Sequence, residues 1–160
     1  MSSGRLVIIV LAVVVGAAAG ALYCRWVDRK ASRSRSTTPP RRAARGYAVG
    51  LFVAALLYAL FPLFRGVGAP DILAVEALGL TVFTGFALLG IYRHMGWLVI
   101  GWAVHVGWDL LLHGPWSGAE WSALPPPGYA LLCLGFDVVV ALWILRRWIL
   151  SPADVVTATA

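Results

Sequence analysis

Apolar positions along this chain come in five long blocks, at residues 6–23, 47–64, 71–92, 96–113 and 128–149, with none of the alternation that marks strands. Each block approaches the ~20 residues a helix needs to cross the hydrocarbon core of a bilayer. Short polar or helix-breaking stretches separate them: Arg65-Gly66-Val67-Gly68-Ala69-Pro70, Arg93-His94-Met95, and a longer one from Gly114 to Pro127. Pro removes a backbone donor and Gly frees the dihedrals, so helices end there. Open strands cannot leave unpaired backbone in lipid, and barrel strands would need alternation, so helices are what this pattern allows. The expected fold is all-α: a polytopic transmembrane bundle of about five spans, forming a single membrane domain over residues 1–160 without internal repeats.

Composition agrees. The chain of 160 residues is 61% apolar and carries 13 basic and 7 acidic residues, with a mean hydropathy of +0.84. Ordinary soluble domains are ~25% charged, about twice this share, and a soluble domain of this size could not hide so much apolar surface. Disorder, a collagen repeat and a disulfide scaffold fail as well, because polar residues are few, Gly has no period, and there are two Cys. The first block could serve as a signal peptide. Tyr23 before Cys24 is too bulky for lipoprotein processing, and cleavage would export residues 25–45, which hold eight Arg or Lys. Basic loops stay in the cytoplasm, so the first helix is read as uncleaved.

The same rule orients the chain. With residues 25–45 inside, 11 of the 13 basic residues are cytoplasmic, the N-terminus faces out and the C-terminus faces in. Ser34 is then expected inside and Gly118 outside, in a multi-pass membrane protein. Trp97, Trp116, Trp121, Trp148 and Tyr47 fall near span ends, where amphipathic rings favour the headgroup layer. Residues 25–45 read as a flexible basic linker without a packing face. The net charge of +6 is thereby a topology signal, and nucleic acid is not an expected partner. Gly16 and Gly20 form a small-xxx-small spacing suited to close helix packing, within the chain or in a homo-oligomer.

Candidate chemistry lies in ionisable residues inside the spans. Glu76 is on the third, Asp137 on the fifth with Cys133 one turn before it, and His105, Asp109 and His113 follow one another at i, i+4 and i+8 on one face of the fourth. At ~1.5 Å per residue, His113 lies at the outer surface, Glu76 and Asp109 ~6–8 Å deep, and His105 and Asp137 ~12–14 Å deep. Matching depth on three helices suggests one outward-opening pocket, with residues 114–127 as its lid. Each carboxylate opposes insertion by ~2.5–3.5 kcal/mol, and no Lys or Arg lies within the spans to compensate three of them. The acids must be protonated, paired with imidazoles or bound to a cation. Interhelical glue, at ~0.6–2 kcal/mol per bond, is the plain alternative. His105 and His113 are ~12 Å apart along the axis, too far to share an ion at ~2.0–2.1 Å. One divalent metal, Zn or Fe, could instead take Asp109, one of the two His, and Glu76 or Asp137. Cys24 and Cys133 lie on opposite sides of the membrane and cannot be bridged.

The stretches His105-Val106-Gly107-Trp108-Asp109-Leu110-Leu111-Leu112-His113 and Cys133-Leu134-Gly135-Phe136-Asp137, continuing to Ala141-Leu142-Trp143, resemble a family of small bacterial integral membrane proteins known only as a domain of unknown function. Its pattern has a Glu about thirty residues before the Trp-Asp, which Glu76 matches. Leu112 stands where that family has the first of two His, and Val138 where it has Pro. The resemblance supports the site without naming a reaction. Three functions fit the residues. One is an enzyme modifying a lipid or isoprenoid, with Glu76, His105, Asp109 and Asp137 as acid/base groups or metal ligands. Another is a non-catalytic subunit or assembly factor of a larger membrane complex, and the third is a carrier of protons or metal ions.

Overall fold

Backbone chemistry at the ends of the apolar blocks sets the helix boundaries in the computed structural model, which describes residues 3–33, 39–66, 69–114, 117 and 119–150. Five long helices and one single turn make up these residues: α1 (Ser3–Ser32), α2 (Pro39–Phe64), α3 (Pro70–Tyr92), α4 (Gly96–Leu112), the turn α5 (Ala119–Ser122) and α6 (Tyr129–Leu150). Pro opens both α2 and α3, where its missing N–H costs nothing. Gly66, just past α2, takes φ +66°, the left-handed conformation that ends many helices. Gly128 does the same at φ +78° on the way into α6. The ring of His94 caps α4, its Nδ1 accepting the Gly96 N–H at 3.1 Å.

Close approaches at small residues give the helix directions. Gly16 and Gly20 of α1 face Leu132 and Phe136 of α6, so these two helices run parallel. Gly46 faces Val27 and Gly50 faces Tyr23, which makes α2 antiparallel to α1. Gly79 against Trp108 and Gly90 against Leu98 make α3 and α4 antiparallel. The long helices therefore alternate in direction along the chain. The small face formed by Gly16 and Gly20 is taken by α6 of the same chain, where a Cβ at Gly16 would overlap the Leu132 carbonyl.

The bundle is apolar outside. Leu6, Ile8, Leu22, Leu78, Leu111 and Leu142 are each at least half exposed, while Glu76, His105, Asp109, His113 and Asp137 are all buried. This inversion is what a lipid solvent selects. Four helices, α1, α2, α3 and α6, are long and apolar enough to cross a membrane. The fifth expected span, α4, has 17 residues and is shorter. It spends its inward face on buried polar groups and packs between α3 and α6.

The stretch read as a featureless linker is largely helical. Helix α1 runs on to Ser32 and α2 starts at Pro39, leaving 34–38, with Ser34, outside the described residues, as is Gly118. Val27 and Ala31 sit one turn apart on α1, opposite Ala43, Ala44 and Tyr47 of α2, and all five are buried. Tyr47 is thus a core residue where a headgroup anchor was expected. Its hydroxyl donates to Asp28 Oδ1 at 2.7 Å. The Trp143 indole N–H donates to Asp28 Oδ2 at 3.0 Å, and Arg147 forms an ion pair with the same carboxylate. One acid thereby ties α1, α2 and α6 together. Asp28→Ala should destabilise the bundle by about 2–3 kcal/mol, because it strands three part-buried donors. Denaturant titration followed by tryptophan fluorescence checks this, and an unchanged midpoint would contradict it.

Candidate functional site

Helix α4 aims His105 and Asp109 inward one turn apart, and α6 brings Asp137 to meet them. A 2.7 Å hydrogen bond joins His105 Nδ1 to Asp137 Oδ2. The same nitrogen lies 3.7 Å from Asp109 Oδ1. His105, Asp109 and Asp137 can each offer one ligand atom with all three within 4.8 Å of one another. His105 and Asp109 are fully buried and Asp137 nearly so. The His105 ring sits among Phe83, Tyr58 and Trp102, with centroids 4.7, 5.7 and 6.3 Å away.

The cluster is polar beyond what it satisfies. Both oxygens of Asp109, Nε2 of His105, the Tyr58 hydroxyl and Nε1 of Trp102 are buried without a hydrogen-bond partner among the described residues. The Tyr58 hydroxyl is a near neighbour of the Asp109 carboxyl group, yet no aligned bond joins them. Buried polar atoms normally find partners, so this concentration of unpaired ones sets the cluster apart from the rest of the interior.

Glu76 and His113 form a second group. Glu76 Oε1 lies 3.0 Å from His113 Nε2, although the ring edge is not well aligned for a hydrogen bond. His113 Nδ1 is 3.3 Å from the Trp121 carbonyl, which can only accept. The Tyr58 ring stacks on His113 at 4.3 Å and so stands between the pair and His105. Of the five sequence-selected residues, the structure thus unites His105, Asp109 and Asp137, and sets Glu76 with His113 apart.

His113, expected at the level of the outer membrane surface, is buried within the protein. Its place at the end of α4 put it at the edge of the span, but Tyr58 covers one face of its ring and the returning chain at Trp121 meets its Nδ1. Leu124 in the same connection is buried, so this segment packs down over the pair; Trp116 lies outside the described residues. Among the described residues, the cavity that reaches the cluster opens sideways. It is a groove of about 780 Å³ between α1, α2 and α6, with Asp137, Cys133 and Tyr129 in its wall. Ala19 on α1 and Gly46, Gly50 and Ala54 on α2 also line it.

Sequence reasoning passed over Asp28, Tyr58 and Trp102. Tyr58 carries a readable signal, a hydroxyl near the middle of an otherwise apolar span. Cys24 and Cys133 are buried free thiols.

No curated protein and no solved structure matches the chain. The model of a family described as a family of unknown function, DUF6010, matches residues 41–149, which run from the third residue of α2 through all but the last residue of α6 and take in every residue of both polar groups. The chain belongs to this family of unknown function, DUF6010.

Proposed function

We propose that this protein is an integral membrane protein built around a divalent metal centre, with His105, Asp109 and Asp137 as ligands, that acts on a lipid-like molecule. The observation that carries the reading is Asp109. Both of its oxygens are buried and unpartnered among the described residues, one of them 3.7 Å from the imidazole that also meets Asp137. An ionised carboxylate in that position is costly unless a cation or proton accompanies it. One imidazole and two carboxylates suit Zn or Fe, and the three ligands leave a position for water or substrate. The metal supplies Lewis acidity there.

Elemental analysis of protein purified in detergent, without added chelator, should find close to one Zn or Fe per chain. Protein that stays metal-free after incubation with either ion and desalting would overturn the reading.

The orientation we infer has the N-terminus outside and the C-terminus in the cytoplasm of a bacterial inner membrane, because that gathers 11 of 13 basic residues inside. Cysteine at Ser32 should resist an impermeant thiol reagent in intact cells, whereas cysteine at Ala123 should react. The native thiols are buried, which keeps the background low. The reverse labelling pattern would invert the topology.

A further inference from the structure

The sideways groove has an uneven distribution of charge. Lys30, Arg42 and Arg45 line one end, and Asp137 is the one acidic residue in its wall among the described residues. The rest is mostly apolar, with Ala19, Val49, Val53, Leu57 and Leu132 along its length. From Arg42 to Leu57 on α2 it runs ~22 Å at ~1.5 Å per residue, enough to pass one leaflet of a hydrocarbon core ~30 Å thick. Its volume of about 780 Å³ falls within the ~300–1,000 Å³ of ordinary ligand sites. Lys30 holds its ammonium 4.9 Å from the Trp26 ring, which also lines the groove.

We propose that this groove binds one anionic lipid, its phosphate headgroup over Lys30, Arg42 and Arg45 and one acyl or prenyl chain laid along the apolar walls past Asp137. Charge complementarity fixes the class of occupant. A zwitterionic lipid would bring its own cation to the basic end, and a water-soluble anion would leave the apolar length unfilled. Helix register gives the reach. Asp137 sits one residue beyond Phe136, which faces Gly20, so it lies ~10 Å along the bundle from the level of Arg45, which neighbours the Gly46–Val27 contact. A chain anchored by its phosphate would therefore pass Asp137 some way down from the headgroup. The inference names the class of molecule brought to the His105–Asp109–Asp137 centre and rests on the proposed function for what happens there.

Native mass spectrometry of the full-length protein in detergent, with phosphatidic acid or phosphatidylcholine of identical chains, tests it. Wild-type protein should retain one phosphatidic acid about tenfold or more better than phosphatidylcholine, given ~1 kcal/mol per basic residue near a membrane surface. The double variant Lys30→Gln/Arg45→Gln should lose this preference, both side chains being exposed and outside the core. Val53→Trp, at a position 44% exposed, should fill the groove and displace the lipid without disturbing the interior. Val49→Trp, at a position 60% exposed, provides a second blocking variant if the first fails to fold. Inorganic phosphate in millimolar excess should not displace the lipid. Equal retention of the two lipids would overturn the proposal. So would phosphatidic acid binding that survives both blocking variants, or that inorganic phosphate abolishes. Asp109→Asn protein should keep its lipid. Selective lipid binding by wild-type protein that takes up no metal would sink the metal centre alone, and metal in the wild type without selective lipid would sink the groove alone.

Discussion

Asp109→Asn should lower metal affinity by more than ~100-fold while the protein still inserts and folds. Changes to groups that merely orient ligands cost ~10–100-fold, and Asp109 offers a direct ligand atom in a cluster of three. Asn keeps the shape of the side chain and inserts at least as easily, so a fold built on apolar contacts has no reason to fail. Glu76→Gln is the contrast. Its partner is His113 rather than the cluster, so metal content should remain near the wild-type value. Competition against a coloured chelator at fixed pH measures both. Equal affinity in wild type and Asp109→Asn would remove Asp109 from the ligand set. Loss of metal in both variants to the same degree would mean that the two polar groups act as one.

Gly16→Leu should destabilise the bundle by about 3 kcal/mol, the upper end of the usual cost of overpacking. A Cβ at Gly16 runs into the Leu132 carbonyl, and one at Gly135 into the Val13 carbonyl, so the backbones of α1 and α6 touch through both helices' glycines. No side-chain rotation relieves a clash with main chain. The whole α1–α6 interface would have to open, carrying with it the Asp28 contacts to Trp143 and Arg147. Gly107→Ala is the matched control. A Cβ there meets nothing within 4 Å, and Ala favours a helix over Gly by ~1 kcal/mol. Thermal unfolding followed by size-exclusion chromatography should separate the two variants clearly. A Gly16→Leu protein as stable as wild type would mean that α1 does not pack on α6 in this way.

Helix existence was legible because lipid imposes a length on apolar blocks, and the sequence places its Gly and Pro breaks where the helices end. The limits of α1 and α2 were not. Arg, Lys and Ser between residues 25 and 45 look like a solvated connection, but Arg and Lys are good helix formers, and Val27 with Ala31 already marks a buried face. Asp28, a single acid among eight basic residues, was the sign of an inward contact in that stretch. Asp109, His105 and Asp137 were readable from helical spacing and the missing countercharge. Their separation from Glu76 and His113 was not, because axial depth says nothing about an aromatic ring inserted from a different helix, here Tyr58 on α2. Depth likewise placed His113 at the membrane surface, with no view of the chain that folds back over it. The sideways groove depended on how α1, α2 and α6 sit against one another, and only the register of the three helices reveals that.

X-ray absorption at the metal edge tests the central claim most directly. Protein loaded with one equivalent of zinc should show a mixed shell of one imidazole nitrogen and carboxylate or water oxygens at ~2.0–2.2 Å, without sulfur. The imidazole scattering should vanish in His105→Gln protein and persist in His113→Gln protein, since His105 belongs to the cluster and His113 to the Glu76 pair. A sulfur shell at ~2.3 Å, or an imidazole signal untouched by His105→Gln, would contradict a centre built from His105, Asp109 and Asp137.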